Sequence, residues 1–233
     1  MINAPDNRSH FSPMTSVRFL QLAACAAALA VTPFIRAADD SAAAYARTTS
    51  ERADKIVAKL ALTDTAVATR VRDTIAQFYR DLNALQQRRD AAVSAAKANA
   101  TLSAAERDST VKAARDSVEP ARAALRQAFL SQLAADLTPA QVDQVKDGLT
   151  YGVAPLTFRV YQEMLPNLTA EQKAQIQAWL LEARDLAIAG FTSDEKHGFF
   201  GKYKGRINNY LAKAGINMKQ AEKEFSARRP VQK

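Results

Sequence analysis

Residues 62–85 read LTDTAVATRVRDTIAQFYRDLNAL, and this stretch decides the fold class. Val67, Val71, Ile75, Phe78, Leu82 and Leu85 follow one another at spacings of four, four, three, four and three. A helix turns once in about 3.6 residues, so these side chains form one apolar stripe with polar residues on the remaining faces. A stripe of that width has to be buried against other helices. The alternation of apolar and polar residues that marks a half-buried strand is sustained nowhere in the chain. The expected class is all-α, a multi-helix bundle with a projecting antiparallel two-helix arm.

The arm follows directly downstream. Gln86 to Ala100 is nearly all alanine and charge, and Ser103 with Glu106 three residues on is a capping box that starts a return helix. Val111, Val118 and Leu125 recur every seven residues, with Ala114, Ala121 and Ala128 between them, so residues 86–128 read as two antiparallel helices packed through small side chains. Pro120 is expected to kink or break the return helix. Leu62-Thr63, Leu137-Thr138 and Leu168-Thr169 share a start cassette in which Thr caps and the preceding Leu staples. The last two also satisfy LTxxQ, and Pro139 occupies a first helical position. Gly148 to Pro155 is a turn leading to a short helix ending near Leu165. The helix from Ala170 buries Ile176, Trp179, Leu180 and Leu186 and stops at Gly190. Ser193 is expected to cap a helix reaching Ala214, and a charged helix covers Met218 to Ala227.

Upstream, a helix from Ser41 to Leu60 follows a segment of different character. Arg18 precedes the apolar run Phe19 to Val31, and Ile35 and Ala37 form a small-residue exit, the pattern of a secretory signal peptide over residues 1–38. The run is shorter than the roughly 20 apolar residues a spanning helix needs. Leu22-Ala-Ala-Cys25 matches a lipobox, but the apolar run continues past Cys25, which favours an ordinary leader over a lipoprotein signal. The expected destination is the periplasm or the exterior, with residues 39–233 as one helical domain.

Leader removal takes away Cys25, the single cysteine, and His10, leaving His197 as the only histidine. Neither a disulfide nor a thiol nucleophile is then available, and a zinc site on two or three histidines is excluded, so no metal or cofactor is expected. Loss of Arg8, Arg18, Arg36 and Asp6 lowers the formal net charge from +8 to +6. A basic excess points to anionic partners, but export argues against nucleic acid, and with the leader gone no membrane anchor remains.

Residues 194–211 read DEKHGFFGKYKGRINNYL. On a helix, Phe199, Phe200, Tyr203, Ile207, Tyr210 and Leu211 share an arc of about 120°, an ordinary core stripe. The opposite side holds Gly198, Gly201 and Gly205 with Lys202, Arg206, Asn208 and Asn209. Each helix-interior glycine costs about 1 kcal/mol relative to alanine. Either part of 197–205 is loop, or something approaches this backbone closely, whether another helix or a ligand. Asn and Arg supply the paired donors and acceptors that read hydroxyls or carboxylates, and aromatics can stack on a sugar face. The candidate ligand-binding residues are Tyr151, Tyr161, His197, Lys202, Tyr203, Arg206, Asn208 and Asn209; for Tyr151 and Tyr161 a structural role, half-buried at a helix junction, is the more frequent case.

The tract Gln144-Val-Lys-Asp-Gly-Leu-Thr-Tyr-Gly-Val153, then Met164-Leu-Pro-Asn-Leu-Thr169, then Lys196-His-Gly-Phe-Phe-Gly-Lys-Tyr-Lys-Gly-Arg-Ile-Asn-Asn-Tyr-Leu211, resembles an uncharacterised family of exported bacterial proteins. That family is catalogued as a domain of unknown function and described as sugar-binding. The resemblance covers residues 45–215 and implies a carbohydrate ligand. The two LTxxQ boxes give a weaker similarity to small periplasmic helical chaperones of the envelope-stress type.

Three functions are in play. The first is a non-catalytic carbohydrate-binding protein acting through residues 194–211. The second is a chaperone-like or protein-interaction module whose partners are other envelope proteins. The third is an enzyme, for which the sequence offers little. A glycosidase needs two carboxylates about 5–9 Å apart, whereas adjacent Asp194 and Glu195 read as first-turn charges complementing the helix dipole. No nucleophile elbow accompanies His197. No catalytic residue is assigned.

Overall fold

The computed structural model describes residues 32–228, with side chains from Ala42 onward. The apolar run of the expected leader, with Cys25 and His10, lies outside the described residues. Nine helices and no strand occur among the described residues, so the protein is an all-α multi-helix bundle. Contacts divide the chain into a unit ending at Ala43, of which the first turns of α1 (Thr32–Val57) are described, and a second unit from Ala44 onward that holds everything else. α1 therefore begins upstream of the expected Ser41 start.

α2 (Thr65–Ala98) carries the stripe, with Val71, Ile75, Phe78 and Leu82 buried and Val67 partly so. Its cap differs from the expected one. Asp64 rather than Thr63 accepts hydrogen bonds from the Ala66 and Val67 amides, at 2.7 and 3.1 Å. A carboxylate satisfies the two free N–H groups and also meets the positive end of the helix dipole, which a hydroxyl cannot. Leu62 still packs on the core as a staple would.

α3 (Ala104–Asp116) opens with the expected Ser103–Glu106 capping box, packs on α2 and buries none of its residues. The return helix breaks at Ser117-Val118, and α4 (Glu119–Asp136) starts with Pro120 in its first turn, where a missing N–H costs nothing. α4 returns along α2, stacking Phe129 on Phe78 at 4.0 Å. α5 (Pro139–Leu149) and α7 (Ala170–Ala187) both open with Thr–Gln capping boxes, as LTxxQ implies.

Between them α6 (Val153–Met164) follows a turn in which Tyr151 and Gly152 both take left-handed φ values, 59° and 66°. Glycine adopts this freely; a tyrosine does not. α8 (Ser193–Lys213) is capped by Thr192, one residue before the expected Ser193, and α9 (Met218–Arg228) completes the chain.

Two apolar cores result. One joins α1, α2, α4 and α5 with Ile188 and Ala189; the other joins α6, α7 and α8, with α9 partly packed on it. Trp179, expected in the core, lies half-buried at the margin of the second.

Candidate functional site

α8 is continuous through the glycine segment, so the loop explanation of Gly198, Gly201 and Gly205 fails. Phe200, Tyr203, Ile207 and Leu211 are buried, and the three glycines face away from them. A Cβ built at any of the three meets nothing within 4 Å among the described residues beyond its own helix, so no crossing helix accounts for them either. Close approaches do exist, but at two other glycines. A Cβ at Gly148 would lie 2.8 Å from Ile56 Cγ1, and one at Gly190 would lie 2.8 Å from Lys196 Cγ. The α8 glycine face is open.

The eight candidate residues are divided among the edges of that face. On the α6 side, Tyr151 is 60% exposed and stacks on His197 with ring centroids 5.9 Å apart. Further along the same edge, Tyr161 is buried and its hydroxyl donates to Asn208 Oδ1 at 2.7 Å. On the α7 side, buried Tyr203 hydrogen-bonds Glu182, and Arg206 lies 4.5 Å over the Trp179 ring while pairing with Glu182 at 3.6 Å. Lys202 and Asn209 stand on the open face itself. Tyr161 and Tyr203 are thus structural, whereas Tyr151, His197, Lys202, Arg206 and Asn209 are exposed.

The N-terminal half of the open face forms one wall of a groove of about 710 Å³. Gly198, Phe199 and Lys202 line it from α8, and the facing wall comes from the distal part of α2, the end of α3 and the start of α4. Glu195 ties the walls together. It pairs with Arg89 of α2 and with Arg122 of α4, and it accepts the Phe191 amide at 2.9 Å. Both guanidiniums lie over the Phe191 ring, at 4.6 and 5.0 Å. Arg89 and Arg122 are accordingly well covered, with side chains 17% and 15% exposed. Sequence reasoning missed both, because Arg89 and Glu195 are 106 residues apart and nothing local marks either.

Beneath Tyr151 lies a buried cation that sequence reasoning also missed, although its helical phase could have found it. Lys196 is in phase with Phe200, Tyr203 and Ile207 and so belongs to the core face. Its ammonium donates to the Leu149 carbonyl at 2.9 Å and lies 5.6 Å from the Tyr79 ring and 5.8 Å from the Tyr151 ring. Burial, with the nearby Arg52 charge, pulls its pKa down to about 8. Desolvation likewise pushes the Tyr79 hydroxyl up to about 12. Among the described residues no group of three or more His, Cys, Asp or Glu side chains could hold a metal ion, and no helix is long and apolar enough to cross a membrane.

Fold and site together define an all-α bundle with a charged groove between a helical arm and an open, glycine-lined helix face. The chain belongs to a family described as a protein of unknown function (DUF3826), whose model matches residues 46–230. That span includes the arm. No curated protein matches the chain.

Proposed function

We propose that this is an exported, non-catalytic binding protein that takes carbohydrate along the open face of α8, with the arm groove as the principal subsite. One observation carries the reading: three helix-interior glycines, each costing about 1 kcal/mol against alanine, face open space rather than a neighbour among the described residues. A ligand lying on the backbone gives that cost a purpose. Phe199 supplies an apolar wall, Lys202 and Asn209 supply hydrogen-bonding groups, and the exposed Tyr151–His197 stack offers an aromatic surface beside the face. Export rests on the leader pattern of residues 1–38. The chaperone reading gains less support, since Tyr151 and Leu156 are the large hydrophobics exposed among the described residues, a small apolar area for an unfolded client.

The test uses Gly198→Leu. Its Cβ meets nothing within 4 Å among the described residues, its side chain occupies groove space, and leucine is the better helix former. The expected outcome is an unchanged or raised melting temperature with loss of the oligosaccharide binding that a glycan array and calorimetry detect in the parent protein. Silence of the parent protein across neutral and charged glycans, or full binding by the variant, overturns the proposal.

A further inference from the structure

We infer that the arm groove selects an acidic saccharide, one bearing carboxylate or sulfate groups, over its neutral counterpart; this rests on the carbohydrate reading above. Charge within the groove is unevenly engaged. Each of its four carboxylates is already engaged by a cation of the protein. Asp90 pairs with Arg89 at 2.9 Å, and Asp116 pairs with Lys112. Glu119 pairs with Arg122, while Glu195 is shared between Arg89 and Arg122. Lys97, Arg115 and Lys202 line the same groove and have no ion-pair or hydrogen-bond partner among the described residues.

These three cations come from three helices, α2, α3 and α8, and are exposed at the groove surface. The bound anion therefore meets three free cations, while Arg89, Arg122 and Lys112 offset all but one charge of the four carboxylates, so the groove as a whole keeps a net charge of +2. The Glu195 clamp keeps the two walls in place without a ligand, so little reordering accompanies binding. A neutral sugar finds the opposite situation: few free acceptors for its hydroxyls and three cations left hydrated.

The experiment measures calorimetric affinity of the full mature chain for oligogalacturonate, its fully methyl-esterified form, a sulfated heparin-derived oligosaccharide and single-stranded DNA of equal charge. A second protein carries Lys97→Gln, Arg115→Gln and Lys202→Gln, all exposed positions whose loss leaves the melting temperature unchanged. The parent is expected to bind an acidic oligosaccharide at least about tenfold more tightly than the esterified chain. That preference falls with added salt and vanishes in the triple variant. Preference for the sulfated over the carboxylated chain, with the same loss in the variant, supports charge selection and identifies sulfate as the group. Equal affinity for acidic and esterified chains, an undiminished preference in the triple variant, or tighter binding of DNA overturns the inference. Binding of neutral oligosaccharides alone overturns it while leaving the carbohydrate reading intact; no saccharide binding in any arm removes both.

Discussion

At the scale of single residues, Lys196 sets a cation inside the core face of α8, beneath Tyr151. A lysine 5% exposed with one carbonyl acceptor is held against its solvation preference, and its pKa of about 8 records that. The consequence for stability has a definite sign. Below about pH 8 the ammonium is protonated in both folded and unfolded chains, and the burial penalty is fully present. Between about pH 8 and the ordinary value of 10.5 the folded chain has released its proton and the unfolded chain still holds one, so stability rises with pH. Tyr79 and Tyr161, both pushed up to about 12, act oppositely but only above pH 10. Urea unfolding between pH 7 and pH 10 is therefore expected to show a stabilising slope in the parent that is missing from Lys196→Met. A flat profile in the parent, or the same slope in both proteins, counts against a desolvated cation. Tyr151, strained at φ 59° over this group, and Ala61 at φ 50° take left-handed conformations that nothing in their local sequence announces.

Among the helices, what was legible followed local rules and what was hidden followed contacts between elements. The Ser103–Glu106, Thr138–Gln141 and Thr169–Gln172 boxes form as written, because a capping box is closed within four residues. Asp64 and Thr192 displaced their expected neighbours as caps, a choice between adjacent acceptors that spacing alone does not make. The glycines are more instructive. Their number and grouping on α8 suggested a tight neighbour, yet tightness resides at Gly148, where α5 meets Ile56 of α1. Two opposite outcomes follow for the same substitution. Gly201→Ala and Gly205→Ala are each expected to stabilise the unliganded protein by about 1 kcal/mol through helix propensity. Gly148→Ala is expected to destabilise it by roughly 1–3 kcal/mol, because the new methyl group would lie 2.8 Å from Ile56 Cγ1 and force that β-branched side chain out of its place in the core. Chemical denaturation distinguishes them, and equal shifts of one sign at all three positions would contradict this account of the helix contacts.

For the molecule as a whole, the two apolar cores meet across a polar seam rather than merging. Arg184 of α7, 4% exposed, reaches Asp143 at 2.5 Å and Asp147 at 2.9 Å on α5, while Lys146 pairs with Asp185 at 3.1 Å and Lys196 holds the end of α5 through Leu149. The pairing is asymmetric, since the Asp143 and Asp147 side chains are 52% and 31% exposed. Removing the cation frees two carboxylates that water can solvate; removing the carboxylates strands a guanidinium that water cannot reach. What remains to it is weak: its Nε has no hydrogen-bond partner among the described residues and lies 3.8 Å from Asp185 Oδ1, and Nη1 reaches the Asp143 carbonyl at 3.5 Å. Replacing Asp143 and Asp147 together by Ala is therefore expected to cost about 3 kcal/mol, near the lower end of what breaking a buried pair costs. Arg184→Met, which fills the same space with apolar volume, is expected to cost less than about half of that. Denaturation followed by Trp179 fluorescence, which reports the α6–α8 core, and by circular dichroism, which reports every helix, measures both losses. Arg184→Met proving the more damaging change would mean that the seam binds the cores by net attraction between charges, and not by the requirement that a buried cation be accompanied.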